Sequence, residues 1–150
     1  MVEKRRIVIA SGTFDLLHLG HVKYLEEAKS IGGENSRLIV IVAKDHTVKR
    51  MKGRKPVMPE GQRKILVEAL KVVDSALLGY EDLDIIRIIE KVKPDIIALG
   101  HDQNDIEMKV LEAVEKIPKN IKIVRIAKYG EDELNSSSKI KKKISEVFRS

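Results

Sequence analysis

Strand-like apolar runs at residues 7–10, 38–43, 75–78, 96–99 and 121–126 alternate with helical patterns at 22–29, 61–71, 84–92, 106–117 and 137–148. That alternation is the strongest constraint on the fold. The strand runs are short and apolar on both sides, as strands covered by helices on both faces must be. Parallel neighbours need a long crossover, and a helical stretch follows each strand to supply it. The expected architecture is α/β, a doubly wound parallel five-stranded sheet in a single domain. A chain of 150 residues fills one such domain and is too short for two. Only residues 44–60 lack a clear form. They read as a short helix and then a basic loop, with Pro56 and Pro59 stopping any helix.

In an open parallel sheet, ligands bind outside the carboxyl ends of the strands. The first such end carries Ser11-Gly12-Thr13-Phe14-Asp15, then Leu16-Leu17 and His18-Leu19-Gly20-His21, with the next helix opening near Val22. A helix start offers unpaired amide N–H groups and a partial positive charge, which together attract anions. Histidines with an ordinary pKa of about 6.5 add hydrogen-bond donors suited to phosphate oxygens. Gly12 allows a sharp turn at the strand end, and Gly20 keeps the space between the imidazoles open. A lone histidine near a helix start is usually a cap or a surface residue. Two of them around a glycine behind Gly-Thr-Phe-Asp point instead to a phosphate grip. Zinc is poorly served, because the chain has no cysteine and no third ligand lies nearby.

Other strand ends hold further candidates. Lys52-Gly53-Arg54-Lys55-Pro56 is either a solvated turn or a cationic clamp on a polyphosphate. Arg63, in Glu60-Gly61-Gln62-Arg63-Lys64, reads on its own as a surface helix residue. Asp102, in Gly100-His101-Asp102-Gln103, is a plausible helix cap, and Ser136 to Ser138 open the last helix in the same way.

Bulk properties set limits without choosing a ligand. A net charge of +6 and a pI near 9.4 suit polyphosphate ligands and nucleic acid alike. The lysines at 139 and 141–143 could form a basic nucleic-acid surface, although such a run more often marks a solvated helix face. The absence of cysteine excludes disulfides and thiolate chemistry. Charged residues make up 35% of the chain and glutamine occurs only at Gln62 and Gln103, a pattern expected of a protein from a hot environment. Nothing resembles a signal peptide or a membrane span, so a soluble cytoplasmic protein is expected.

The stretch from Gly12 to His21 resembles the HxGH signature of the cytidylyltransferase-like nucleotidyltransferases, whose fold is Rossmann-like. Over nearly its whole length the chain is similar to the archaeal-type FAD synthetases, on Gly12 to His21, Val42-Ala43-Lys44-Asp45, Thr47-Val48-Lys49, Lys52 to Pro56, Pro59 to Arg63, Gly100 to Gln103 and Tyr129. The resemblance implies transfer of AMP from ATP to FMN, giving FAD and pyrophosphate, with no nucleic-acid or membrane partner. It implies catalytic roles for His18, His21 and Lys52, and nucleotide contacts from Thr13, Phe14, His18, Leu19, Gly20, His21, Arg63, Asp102, Tyr129 and Ser137. A divalent cation, Mg2+, and a homodimer are expected with it, the metal ligands being unassigned. Relatives that make CDP-glycerol carry Arg-Thr-Glu-Gly-Ile-Ser-Thr before the last helix. This chain has Lys128 to Ser138 there without that arginine and glycine turn, which weighs against the alternative of a glycerol-3-phosphate cytidylyltransferase.

Overall fold

A computed structural model describes residues 4–130 and 135–149 of the chain. The five expected strands form as β1 (Ile7–Gly12), β2 (Arg37–Val42), β3 (Ser75–Leu78), β4 (Ile96–Leu99) and β5 (Lys122–Arg125). The helices are α1 (Leu19–Ile31), α2 (Asp45–Lys52), α3 (Glu60–Glu68), α4 (Ile85–Val92), α5 (Asn104–Glu115) and α6 (Ser137–Arg149), with a 3-10 turn at Glu81–Leu83. All strand pairs are parallel, in the order β3-β2-β1-β4-β5. The chain therefore builds outward from β1 to β3, then crosses back and builds the other way. Strand order reverses between β1 and β4, and a crevice opens at the carboxyl end of that pair.

Side-chain alternation along the strands divides the interior into layers. Leu38, Val40 and Val42 of β2 join Val8 and Ala10 of β1 and Leu25 and Ala28 of α1 on one face. Ile39 and Ile41 turn the other way, with Ile9 and with Ile88 of α4. Ile97 and Leu99 of β4 meet Ile89 of α4 and Val110 and Ala113 of α5 on that second face. Leu25, Leu38 and Leu99 are fully buried, and each such side chain contributes about 1.5–3 kcal/mol by leaving water.

Three boundaries differ from the expectation in ways that shape the site. Helix α1 begins three residues before Val22, because His18 takes the N-cap with extended backbone (φ −141°, ψ 176°). His21 thus belongs to the first helical turn. Helix α2 ends at Lys52, four residues before Pro56. Gly53 adopts a left-handed conformation (φ 79°) and its N–H closes onto the Lys49 carbonyl at 2.8 Å, a glycine stop that needs no proline. Pro59 starts a helix instead of stopping one, serving as the N-cap of α3.

Candidate active site

The turn between β1 and α1 is strained and tightly held. Phe14 and Leu16 have positive φ (56° and 52°), a conformation costing an ordinary residue about 1–2 kcal/mol. The turn folds the Phe14 ring back into the core, where it is almost completely buried. A Cβ on Gly12 would lie 3.1 Å from that ring, so Gly12 is needed for close packing at the strand end. Asp15 anchors the turn from outside. Its buried carboxylate accepts the N–H groups of Val57 (2.8 Å) and Met58 (3.0 Å), with Lys141 Nζ at 3.7 Å, and its carbonyl accepts the Ser137 hydroxyl. One residue thus ties the turn to the basic loop and to α6.

The two histidines stack, their ring centroids 3.8 Å apart. His21 Nδ1 accepts the His18 backbone N–H at 3.2 Å, which leaves Nε2 to carry the proton. Burial, the neighbouring His18 and the Lys52 ammonium together lower the His21 pKa to about 3, Asp15 opposing them. His18 is lowered too, by burial. His21 is therefore neutral at pH 7 and presents one N–H donor. His18 Nδ1 is buried with no hydrogen-bond partner among the described residues. Gly20 keeps side-chain bulk away from the His18 ring, as expected, and also from the segment before α6. A Cβ there would lie 2.7 Å from the Asn135 carbonyl and 2.9 Å from the His18 ring.

Beyond the splayed ends of β1 and β4, two side chains satisfy carbonyls that the sheet leaves open. The Tyr24 hydroxyl donates to Ala98 (3.1 Å) and Ser11 (3.4 Å), and burial pushes its pKa above the usual tyrosine value. Gln103 donates to the Ser11 carbonyl at 3.0 Å and accepts the Gly100 N–H at 2.8 Å. Gln103 is also the N-cap of α5, so Asp102 is free of the capping role and stands exposed at the cleft wall. Ser136 Oγ accepts the Lys139 N–H at 3.2 Å at the start of α6, which leaves Ser137 for Asp15. Asn135 donates to the carbonyls of Tyr129 (2.9 Å) and Gly130 (3.2 Å), and Lys23 lies 5.7 Å from the Tyr129 ring. Glu131 to Leu134 lie outside the described residues.

Thr13, Phe14, His18, Gly20, His21, Lys52, Asp102, Tyr129 and Ser137 line one cleft of about 1560 Å³. Two expected site residues do not. Leu19 lies on α1 outside the lining, half exposed. Arg63 is neither a surface residue nor part of the cleft wall. It is fully buried and donates to the carbonyls of Thr13 (2.6 Å) and Met58 (2.9 Å) and to Asp45 Oδ1 (2.7 Å). It braces the turn from behind. Sequence reasoning passed over Asp15, Tyr24, Gln103 and Asn135. Only Asp15, a carboxylate set between Phe14 and Leu16, offered a signal. Lys141, counted among the basic surface lysines, reaches Asp15 and lines the cleft, so these lysines do not form one continuous basic surface.

The chain is similar to known proteins over nearly all its length. It is 50% identical to the FAD synthase of Methanothermus fervidus over 139 residues, 93% of this chain and 94% of that protein. It is 47% identical to the FAD synthase of Thermoplasma volcanium over 141 residues, 94% of this chain and 95% of that one. Among solved structures, a lipopolysaccharide core biosynthesis protein from Thermoplasma volcanium covers 85% of this chain with a TM-score of 0.76 and 44% identity. The family model described as cytidylyltransferase-like matches residues 9–143, from the middle of β1 into α6. With the histidine turn, the basic loop and the start of the last helix all inside that match, the chain belongs to the cytidylyltransferase-like family.

Proposed function

We propose that this chain is an FMN adenylyltransferase, which joins AMP from ATP to FMN and releases pyrophosphate. The observation that carries this reading is the pairing of a phosphate-suited cleft with FAD synthase relatives matched almost end to end. The FMN phosphate, with a second pKa of about 6, is largely dianionic at neutral pH. One of its oxygens attacks the α-phosphorus of ATP, and the bond from that phosphorus to the β-bridging oxygen breaks. No general base is required. The protein's tasks are alignment and neutralisation of charge. His21 Nε2–H, the His18 ring, Lys52 and the amide groups at the start of α1 perform them.

Among the described residues, no three His, Cys, Asp or Glu side chains gather into a metal cage. A divalent cation such as Mg2+ would supply charge neutralisation on the phosphates of ATP, to which that ion commonly binds while keeping several waters. No described helix is long and apolar enough to cross a membrane, which supports a cytoplasmic site for the reaction. The composition and the sources of the relatives support an organism of hot environments. A homodimer is proposed on the surface charges considered in the Discussion.

The test is a mass spectrum of products after incubation with ATP, CTP, FMN and glycerol 3-phosphate together. FAD is expected as the dominant product. Dominant CDP-glycerol would overturn the flavin reading.

A further inference from the structure

A cleft of about 1560 Å³ exceeds the roughly 300–1,000 Å³ that holds one small ligand. It has two unlike ends. The chain has no tryptophan, three tyrosines and two phenylalanines, and Phe14 and Tyr24 are committed to packing and strand-end hydrogen bonds. The aromatic faces left in the cleft wall belong to Tyr80 and Tyr129. Tyr129 follows β5 and Tyr80 follows β3, the two edge strands. Four strand spacings, about 19 Å, separate those strands, with the histidine turn of β1 midway.

The Tyr129 end is polar, shared with Asp102 and Lys128. At the Tyr80 end the cleft wall is Leu83, Ile85 and Ile88, and Tyr80 also borders a separate hollow lined by Lys44, Glu81, Asp84 and Arg87. Leu83 has a left-handed backbone (φ 51°) at the end of the 3-10 turn, a strained bend in the wall of this end. The Arg87 guanidinium lies over one face of the Tyr80 ring at 4.0 Å, and Tyr80 also lines the cleft. In-line displacement requires the attacking phosphate and the pyrophosphate to lie on opposite sides of the α-phosphorus. The two ring systems must then leave the central phosphates in different directions.

We propose that Tyr80, with Leu83, Ile85 and Ile88, forms the acceptor subsite, and that the isoalloxazine of FMN stacks on the Tyr80 ring while adenine lies toward Tyr129. The dimethylbenzene edge of the flavin meets the isoleucines of α4. This assignment rests on the reading of the acceptor as FMN. Tyr80 acts by binding and takes no part in the chemistry, so its removal is expected in the Michaelis constant for the acceptor.

Steady-state kinetics of the full chain test this. Loss of an aromatic stacking partner corresponds to about a threefold to tenfold loss of affinity. Tyr80→Ala is expected to raise KM for FMN by about that factor with KM for ATP unchanged. Tyr80→Phe, which keeps the ring, is expected to restore it. Tyr129→Ala is expected to give the converse, a raised KM for ATP alone. A second readout is binding of FMN alone, followed by quenching of flavin fluorescence, which Tyr80→Ala weakens. If FAD forms and KM for FMN is the same in wild type and Tyr80→Ala, the subsite is overturned and the flavin reading stands. If the wild type makes no FAD, both fall.

Discussion

At the scale of single residues, the histidine pair was legible in the sequence, and its electrical state was not. Two imidazoles around a glycine at a strand end announce an anion site. That His21 is held neutral depends on burial, on His18 stacked against it and on Lys52 arriving from α2. Such contacts between distant parts of the chain leave no local pattern. Neutral His21 suits charge that develops late, because a donor that strengthens in the transition state speeds the reaction selectively. His18→Ala and His21→Ala are each expected to lower kcat by about a hundredfold to a thousandfold with a modest change in ATP affinity. The exposed His46→Ala is expected to match wild type in the same assay, and equal damage from His46→Ala would refute the division of roles. A titration follows as well. The folded pKa of His21 lies below its ordinary 6.5, so between about pH 6.5 and about pH 3 the unfolded chain binds a proton that the folded chain refuses. Stability contributed by neutral His21 is full above that window and declines as pH falls through it. Bound triphosphate reverses the bias and raises the His21 pKa, so ATP binding near pH 6 takes up protons. Calorimetry in buffers of different ionisation enthalpy measures this, and a binding heat independent of buffer would count against His21 facing the phosphates.

At the scale of elements, strand positions were legible because short runs apolar on both sides, alternating with helical patterns, are local properties. Helix ends were less so. The start of α1 turns on His18 as N-cap, a residue type that does not advertise capping, and the end of α2 turns on Gly53, overshadowed in the sequence by two nearby prolines. Arg63 shows the same limit in a side chain. Nothing in the α3 pattern reveals that its guanidinium passes inward to join Thr13, Met58 and Asp45. Breaking a buried ion pair from one side typically costs about 3–5 kcal/mol, since the partner groups remain unpaired. Arg63→Met is expected to destabilise the fold by about that amount in urea unfolding. Arg63→Lys is expected to recover little of it, because an ammonium cannot reproduce donors fixed in three directions. A loss below about 1 kcal/mol for Arg63→Met would show that the turn holds its shape without this brace.

At the scale of the whole molecule, the sheet order gathers the histidine turn, the basic loop and the start of α6 around one cleft, while two helices carry exposed apolar side chains elsewhere on the surface. Helix α6 leaves the body after Lys141 and exposes Ile144 and Phe148, the latter 84% accessible, beside Lys142 and Lys143. Helix α5 exposes Met108 and Leu111 among Asp105, Glu112 and Glu115. Neither apolar patch is covered by the described residues. Two α6 helices set against each other would bring lysines together, whereas α6 of one copy against α5 of another matches basic to acidic around apolar centres. A two-fold pair uses that contact twice, with each copy giving and receiving one helix. The proposed homodimer is therefore expected to weaken as salt rises, because exposed charges are screened within about 3 Å at 1 M against about 30 Å at 0.01 M. Light scattering at low and high salt reads the mass directly. Phe148→Glu is expected to give a monomer at every salt concentration, and pairing it with Met108→Lys is expected to regain some of the dimer by creating a new opposite-charge contact. A dimer indifferent to both substitutions and to salt would place the interface elsewhere. A monomer under all conditions would remove the dimer while leaving the adenylyl-transfer site intact, since every group assigned to that site comes from one chain.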